Sequence, residues 1–256
     1  MIYFRNGELH EGEVCLDLAQ PAFRTGYGFF ETICWNGSKA CHLDLHLERA
    51  RNSLAEFGIA EELIDYETVI GEVVNANGIL NDFARVNIFF PVENEHTRPI
   101  VCAVPFEYIP QRTWTLKPNP HIFLTPLMAH KSTNRMDYLN AWKTAQADGF
   151  DDALLQDFEG NVLESSFASL LFKAGDEFIE PKTEFKLPGT ARIVAARHIE
   201  IDSAQINLVQ VDKFDHVYAL NSLGGMIPVT AIGKVEFEPD FVLAKEISAK
   251  ILELKL

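Results

Sequence analysis

Residues 130–136, HKSTNRM, place Lys131 and Arg135 four apart between two largely apolar stretches, FLTPLMA and MDYLNAW. A lysine at the start of a helix is ordinarily a solvated surface residue. Partly desolvated among apolar neighbours, the same amine is less committed to its charged form and can attack a carbonyl to make a Schiff base. Arg49, in HLER, is either an arginine snorkelling along an apolar stripe or a bidentate phosphate ligand. Glu164, in VLESSF, sits at the edge of an apolar strand, where a carboxylate is costly to bury without a cationic partner. Gly189-Thr190-Ala191 opens a helix directly after Pro188, so its backbone N–H groups and the helix dipole can hold a phosphate. Residues 221–225, NSLGG, offer the Ser222 hydroxyl and the amides around Leu223 as a second cradle. Singly, each of these is ordinary turn chemistry.

As a set they meet the needs of one cofactor. Pyridoxal phosphate requires a lysine for covalent attachment, a carboxylate to keep the pyridine nitrogen protonated, and donors for its phosphate. Competing motifs fall away on inspection. GYGFFE has Glu31 where a dinucleotide fingerprint needs its third glycine, and Gly233-Lys234 lacks the spacing of a phosphate-binding loop. His42 and His46 are four apart with no third ligand in view, so no metal site is expected.

These residues need elements to position them. IYFRNGELHEGEV predicts a hairpin turning at Asn6-Gly7, and GYGFFETICWNGSKACHL predicts two further strands joined at Asn36-Gly37. From Leu43 to Phe57 apolar residues recur at helical spacing, with Asp44 as the expected N-cap and Gly58 as the terminator. A second helix is expected over 61–76, then strands in ARVNIFFPV and IVCAVPFEY. Residues 109–120, with three prolines and no periodicity, are the expected linker. Beyond it, HIFLTPL reads as a strand, 137–148 as a helix, DALLQDFEGNVLESSF as a hairpin, and 239–254 as a closing helix. Strands and helices come in blocks, which predicts an α+β chain with two lobes: 1–108, the linker at 109–120, and 121–256.

Composition narrows the function classes. The 256 residues suffice for a substantial core, and a net charge of −15 argues against nucleic-acid and anionic-membrane partners. No apolar run reaches the roughly 20 residues of a membrane helix. The charged N-terminus does not read as a signal peptide. Four scattered cysteines without a CxxC pair suit a reducing cytoplasm.

The ordered motifs YGFFET, HLERARNS, KSTNR, DDALLQDFEGNVLESSFASLLF, LPGTAR and NSLGGMIPV resemble the class IV, or fold-type IV, pyridoxal-phosphate enzymes. That group includes branched-chain and D-amino acid aminotransferases and 4-amino-4-deoxychorismate lyases. The resemblance spans nearly the whole chain. It implies an α/β first lobe, a β-rich pseudo-barrel second lobe, a cofactor in the cleft and a homodimer. It further implies that Lys131 carries the cofactor and moves the substrate α-proton, and that Glu164 holds the pyridine nitrogen. Arg49, the Thr190 and Ala191 amides, Ser222 and Leu223 would hold the phosphate. The chain departs from the family pattern at Ser165, where glycine is usual, at Ser169, where asparagine is common, and at Thr190-Ala191, where the family has Ile-Thr.

Within the group, Asn134-Arg135, the NSL of 221–223 and the short chain look most like the lyases, which eliminate pyruvate from 4-amino-4-deoxychorismate to give 4-aminobenzoate for folate synthesis. Arg85 and Arg135 are candidates for the substrate carboxylates, or else form structural ion pairs. The alternatives are transamination of branched-chain or D-amino acids with a 2-oxo acid, and a binding protein that keeps the fold without turnover. The cofactor residues do not discriminate between the two reactions.

Overall fold

The computed structural model describes residues 1–15, 17–120 and 124–254. Its contacts divide the chain into two units. The first is Met1–Tyr108 with His130–Asn134, and the second is Ile109–Ala129 with Arg135–Leu256.

The first unit opens with the hairpin β1 (Ile2–Arg5) and β2 (Glu8–Glu11). Asn6 and Gly7 both have positive φ, 53° and 84°, which is why that dipeptide is needed in the turn. There follow α1 (Pro21–Thr25), β3 (Gly28–Asn36), α2 (Leu43–Glu56), β4 (Ala60–Glu61), α3 (Tyr66–Ala76), β5 (Phe83–Glu93), β6 (His96–Thr97) and β7 (Ile100–Pro105). Their sheet runs β2-β1-β7-β5-β6-β4, with β3 antiparallel to β5. Along β5 every second residue from Ala84 to Val92 is buried. Alternation of this kind gives a strand one core face. Ala50 and Leu54 of α2 and Ile70, Val73 and Val74 of α3 share one core with Ile33, Val86, Ile88 and Phe90. Full burial of each large apolar side chain contributes roughly 1.5–3 kcal/mol.

The second unit contains β8 (Trp114–Pro118), α4 (Met136–Ala147), β9 (Asp152–Gln156), β10 (Val162–Ser165), β11 (Ser169–Ala174), β12 (Glu177–Pro181), α5 (Thr190–Ala195), β13 (Asp202–Ala204), β14 (His216–Asn221), β15 (Gly225–Ile232), β16 (Val235–Glu236) and α6 (Phe241–Ile251). The sheet order is β10-β9-β8-β15-β14-β11-β12-β13, with β16 on β15. Leu116, Leu154, Leu170, Phe172, Ala219 and Val229 fill its core.

The molecule is thus α+β, built on two sheets, as the blocks of strands and helices predict. Five details differ from the expectation. After Asn36-Gly37 there is one bridge, Trp35 with Ala40, in place of a second strand. The N-cap of α2 is His42 in the left-handed region, and Asp44 lies in the first turn, where its charge favours the dipole. The helix expected over 61–76 starts at Tyr66, because the Asp65 carboxylate accepts from the Thr68 amide. The expected linker contains β8, which pairs in parallel with β9 and β15 inside the second sheet; its prolines fall at 110, 118 and 120, outside or at the end of the strand. Of the strand expected over 121–127, residues 121–123 lie outside the described residues, and Pro126–Ala129 form a 3-10 turn. Among the described residues no helix is long and apolar enough to cross a membrane.

Candidate active site

Lys131 belongs to the first unit, although the sequence places it in the C-terminal lobe. The reason is a short extension of the first sheet. The Phe30 amide donates to the Lys131 carbonyl at 2.9 Å, the Thr133 amide donates to the Gly28 carbonyl at 2.9 Å, and Phe29 bridges Ser132. The Lys131 side chain is half-buried, with Nζ 4.7 Å from the centroid of the Phe30 ring. Its neighbour His130 is fastened to α2, with Nδ1 2.9 Å from the Ser53 hydroxyl and an edge contact to the Phe57 ring.

Beside Lys131 the same unit assembles a buried ionic cluster. Glu31 is an inward residue of β3, and His46 and Arg49 are three apart on α2, so all three meet on one face. Arg49 donates through Nε to Glu31 Oε1 at 2.9 Å and through Nη2 to Oε2 at 2.6 Å, the two-pronged geometry that orients a guanidinium. His46 Nδ1 lies 2.6 Å from Oε2. Because an ionised carboxylate only accepts, that nitrogen carries the proton. Burial alone would raise the Glu31 pKa, but the charge of Arg49 and the hydrogen bonds of His46 and Arg49 hold it at about 2. Burial pushes His46 below its ordinary value, and the nearby charges of Arg49 and Lys131 push the same way against the pull of Glu31, leaving a neutral imidazole. Arg49 and Lys131 are therefore both within electrostatic reach of His46.

The second unit holds Glu164 on β10, 4% exposed. Its Oε1 accepts from the Tyr138 phenol at 3.0 Å and its Oε2 from the Leu187 amide at 3.1 Å. Two donors on a buried carboxylate favour its ionised form. Leu187 leads into Pro188-Gly189, and Gly189 caps α5 in extended conformation without a side-chain cap. A Cβ at Gly189 would lie 2.3 Å from the Ser169 hydroxyl, which would have to rotate aside, so the turn into Thr190 and Ala191 packs closely against Ser169. Their amides belong to the first turn, which has no acceptor within the helix. The turn between β14 and β15 is held by its own asparagine. Asn221 Oδ1 accepts from the amides of Leu223 (3.1 Å) and Gly224 (2.7 Å), so the Leu223 N–H is engaged within the turn. Ser222 is half-buried in that turn.

Arg135 lies over the Tyr138 ring, 4.1 Å from its centroid. Arg85 is exposed on the face of β5 opposite the core, within electrostatic reach of Cys102. The structure gives it no described contact with Lys131 or Arg49. Glu31, His46 and Tyr138 are the residues that sequence reasoning did not assign to the site. A signal for the first two was present: a lone carboxylate at an inward position of GFFETICW, followed by histidine and arginine three apart on the next helix. Tyr138 read only as part of an apolar helix face.

Within the first unit, an amine beside an aromatic ring and an arginine held in a fixed direction suit an aldehyde and a phosphate; within the second, a buried carboxylate that accepts two hydrogen bonds suits a protonated ring nitrogen, and these are the groups that pyridoxal phosphate carries. Among the described residues no three His, Cys, Asp or Glu side chains are grouped to hold a metal ion.

A family model described as amino-transferase class IV matches residues 28–232. An aminodeoxychorismate lyase from Vibrio harveyi is 24% identical over 252 residues, covering 89% of this chain and 91% of its own length. The structure of a branched-chain aminotransferase from Thermoproteus uzoniensis with norvaline superposes with a TM-score of 0.88 at 20% identity, covering 100% of this chain and 96% of that one. A hypothetical aminotransferase from Mycobacterium tuberculosis in its PLP-bound form superposes with a TM-score of 0.83 at 14% identity, with 100% of both chains covered.

Proposed function

Because the chain belongs to the class IV aminotransferase family of pyridoxal-phosphate-dependent enzymes, we propose that it eliminates pyruvate from 4-amino-4-deoxychorismate and releases 4-aminobenzoate, a step of folate synthesis. The observation that carries this reading is the near end-to-end relationship to the Vibrio harveyi lyase. Asn134-Arg135 and the NSL of 221–223 support it.

When bound, pyridoxal phosphate supplies an electron sink for the charge left as the substrate loses its α-proton. Lys131 is the residue that holds the cofactor covalently and moves that proton through Nζ, with Phe30 covering the amine. Glu164 keeps the pyridine nitrogen protonated from an oxygen pair oriented by Tyr138 and Leu187. Arg49 takes the phosphate, with its guanidinium direction set by Glu31. The Thr190 and Ala191 amides and the Ser222 hydroxyl complete that role, while Leu223 contributes through the turn it shapes with Asn221. Arg135, and Arg85 from the open face of β5, are assigned to the two substrate carboxylates. The reaction is redox-neutral: the C4–H proton goes to Lys131, the ring–oxygen bond breaks, and the departing enolpyruvate regains a proton as pyruvate. Aromatisation of the ring supplies driving force that the protein need not provide. We infer a cytoplasmic homodimer, and the four free cysteines accord with a reducing compartment.

The test is to give the holoenzyme 4-amino-4-deoxychorismate and, separately, L-leucine or D-alanine with 2-oxoglutarate. Stoichiometric 4-aminobenzoate and pyruvate from the first, without glutamate from the others, is the expected result. Glutamate formation without 4-aminobenzoate would replace the lyase assignment by transamination.

A further inference from the structure

On the assignment of Glu164 to the pyridine nitrogen made above, we propose that Tyr138 is a positioning residue for that carboxylate. Backed by Arg135, its phenol keeps Glu164 ionised and oriented, and thereby sets the protonation of the cofactor.

Tyr138 lies on the buried face of α4, and its hydrogen bond to Glu164 Oε1 joins two buried groups. The Leu187 amide takes the other oxygen, so the carboxylate is pinned from both sides. A buried tyrosine hydroxyl needs a partner, and a backbone carbonyl would serve for packing alone. Here the partner is the one buried carboxylate of the unit to which the mechanism gives a role. On its other side Arg135 covers the ring and acts on the phenol oxygen through its charge and a hydrogen bond. Burial and the Glu164 charge hold the phenol in its protonated form, while Arg135 polarises the O–H outward. Donation thus runs one way, from guanidinium to phenol to carboxylate.

Removing the phenol oxygen takes away one of the donors that favour ionised Glu164 and tilts the buried group toward its neutral acid. A neutral Glu164 no longer favours a protonated pyridine nitrogen. The proposal therefore has a spectroscopic consequence that packing alone does not.

The experiment loads wild type, Y138F and E164Q with pyridoxal phosphate carrying 15N in the ring. It reads the 15N resonance and, by equilibrium dialysis of the apoproteins, the cofactor affinity. Y138F is expected to shift the resonance from the wild-type position toward that of E164Q and to bind roughly tenfold more weakly, the effect of one hydrogen bond to a charged group. A Y138F protein with wild-type resonance and affinity overturns the proposal alone, since the cofactor still binds. A wild type that takes up no pyridoxal phosphate overturns the proposal and the cofactor reading together. Should Y138F not fold, R135Q leaves the buried ring in place and is expected to move the resonance in the same direction by less. An unchanged R135Q resonance overturns the proposal.

Discussion

Glu31 meets the guanidinium of Arg49 edge-on, at 2.9 and 2.6 Å, inside the first unit, and shares the second oxygen with His46. The arginine proposed for the phosphate is therefore aimed by a buried carboxylate and not by solvent. Breaking a buried pair leaves an uncompensated charge and costs about 3–5 kcal/mol. E31Q is expected to lower the urea midpoint accordingly and to weaken pyridoxal phosphate binding, whereas E31D should retain part of both. Wild-type cofactor affinity in a folded E31Q protein would remove Glu31 from the phosphate arm.

Two buried carboxylates give stability opposite slopes with pH. Glu31 is depressed from 4.5 to about 2, so its contribution is present above 4.5 and is lost as pH falls toward 2. Asp152, fully buried on β9, is pushed by burial from 3.8 up to about 6, against hydrogen bonds from Ser165 and the Ala153 amide. Its folded state holds the proton more tightly than the unfolded chain, so stability declines between 3.8 and 6 and is level above. Each shift corresponds to roughly 3 kcal/mol. Unfolding free energies from pH 3 to 8 should show the decline between 4 and 6 flattened in D152N, and the acid-side loss flattened in E31Q. A D152N profile parallel to wild type would contradict the first assignment.

Lys131 is expected to be irreplaceable in the chemistry. K131A should lose at least about 10²–10⁴-fold in turnover, the range of positioned proton transfer. Borohydride treatment of the loaded wild type should fix the cofactor on the peptide containing Lys131, as read by mass spectrometry, and leave K131A unlabelled. Label on another lysine would reassign the attachment site.

Gly28 joins the sheet to the Lys131 segment, since its carbonyl accepts from the Thr133 amide. A Cβ there would lie 2.8 Å from the Phe90 carbonyl oxygen and 3.3 Å from Pro91 Cα, both backbone atoms that do not swing aside. G28A is expected to cost about 1–3 kcal/mol, the range for overpacking, and to lower turnover because Lys131 is displaced with the strand edge. Thermal unfolding and kcat check the two parts separately.

The sequence by itself determined what is local or ordered along the chain. The Asn6-Gly7 hairpin, the stripes of α2 and α3 and the alternation in β5 follow from nearest-neighbour sterics and from the periods of helix and strand. The order of six motifs, running on the chain from YGFFET to NSLGGMIPV, was enough to identify the family and its cofactor. Only the tertiary structure decided which groups answer one another. β8 is hidden among prolines because a strand is defined by its partners, here β9 and β15, which come far later in the chain. Lys131 joins the first unit through hydrogen bonds to residues about a hundred positions earlier. The pairing of Tyr138 with Glu164, of Glu31 with Arg49, and the capture of the Leu223 amide by Asn221 depend on distances of about 3 Å. Hydrogen bonds and ion pairs fall off within such distances. Residue type proposes them, and the fold alone brings the atoms into range.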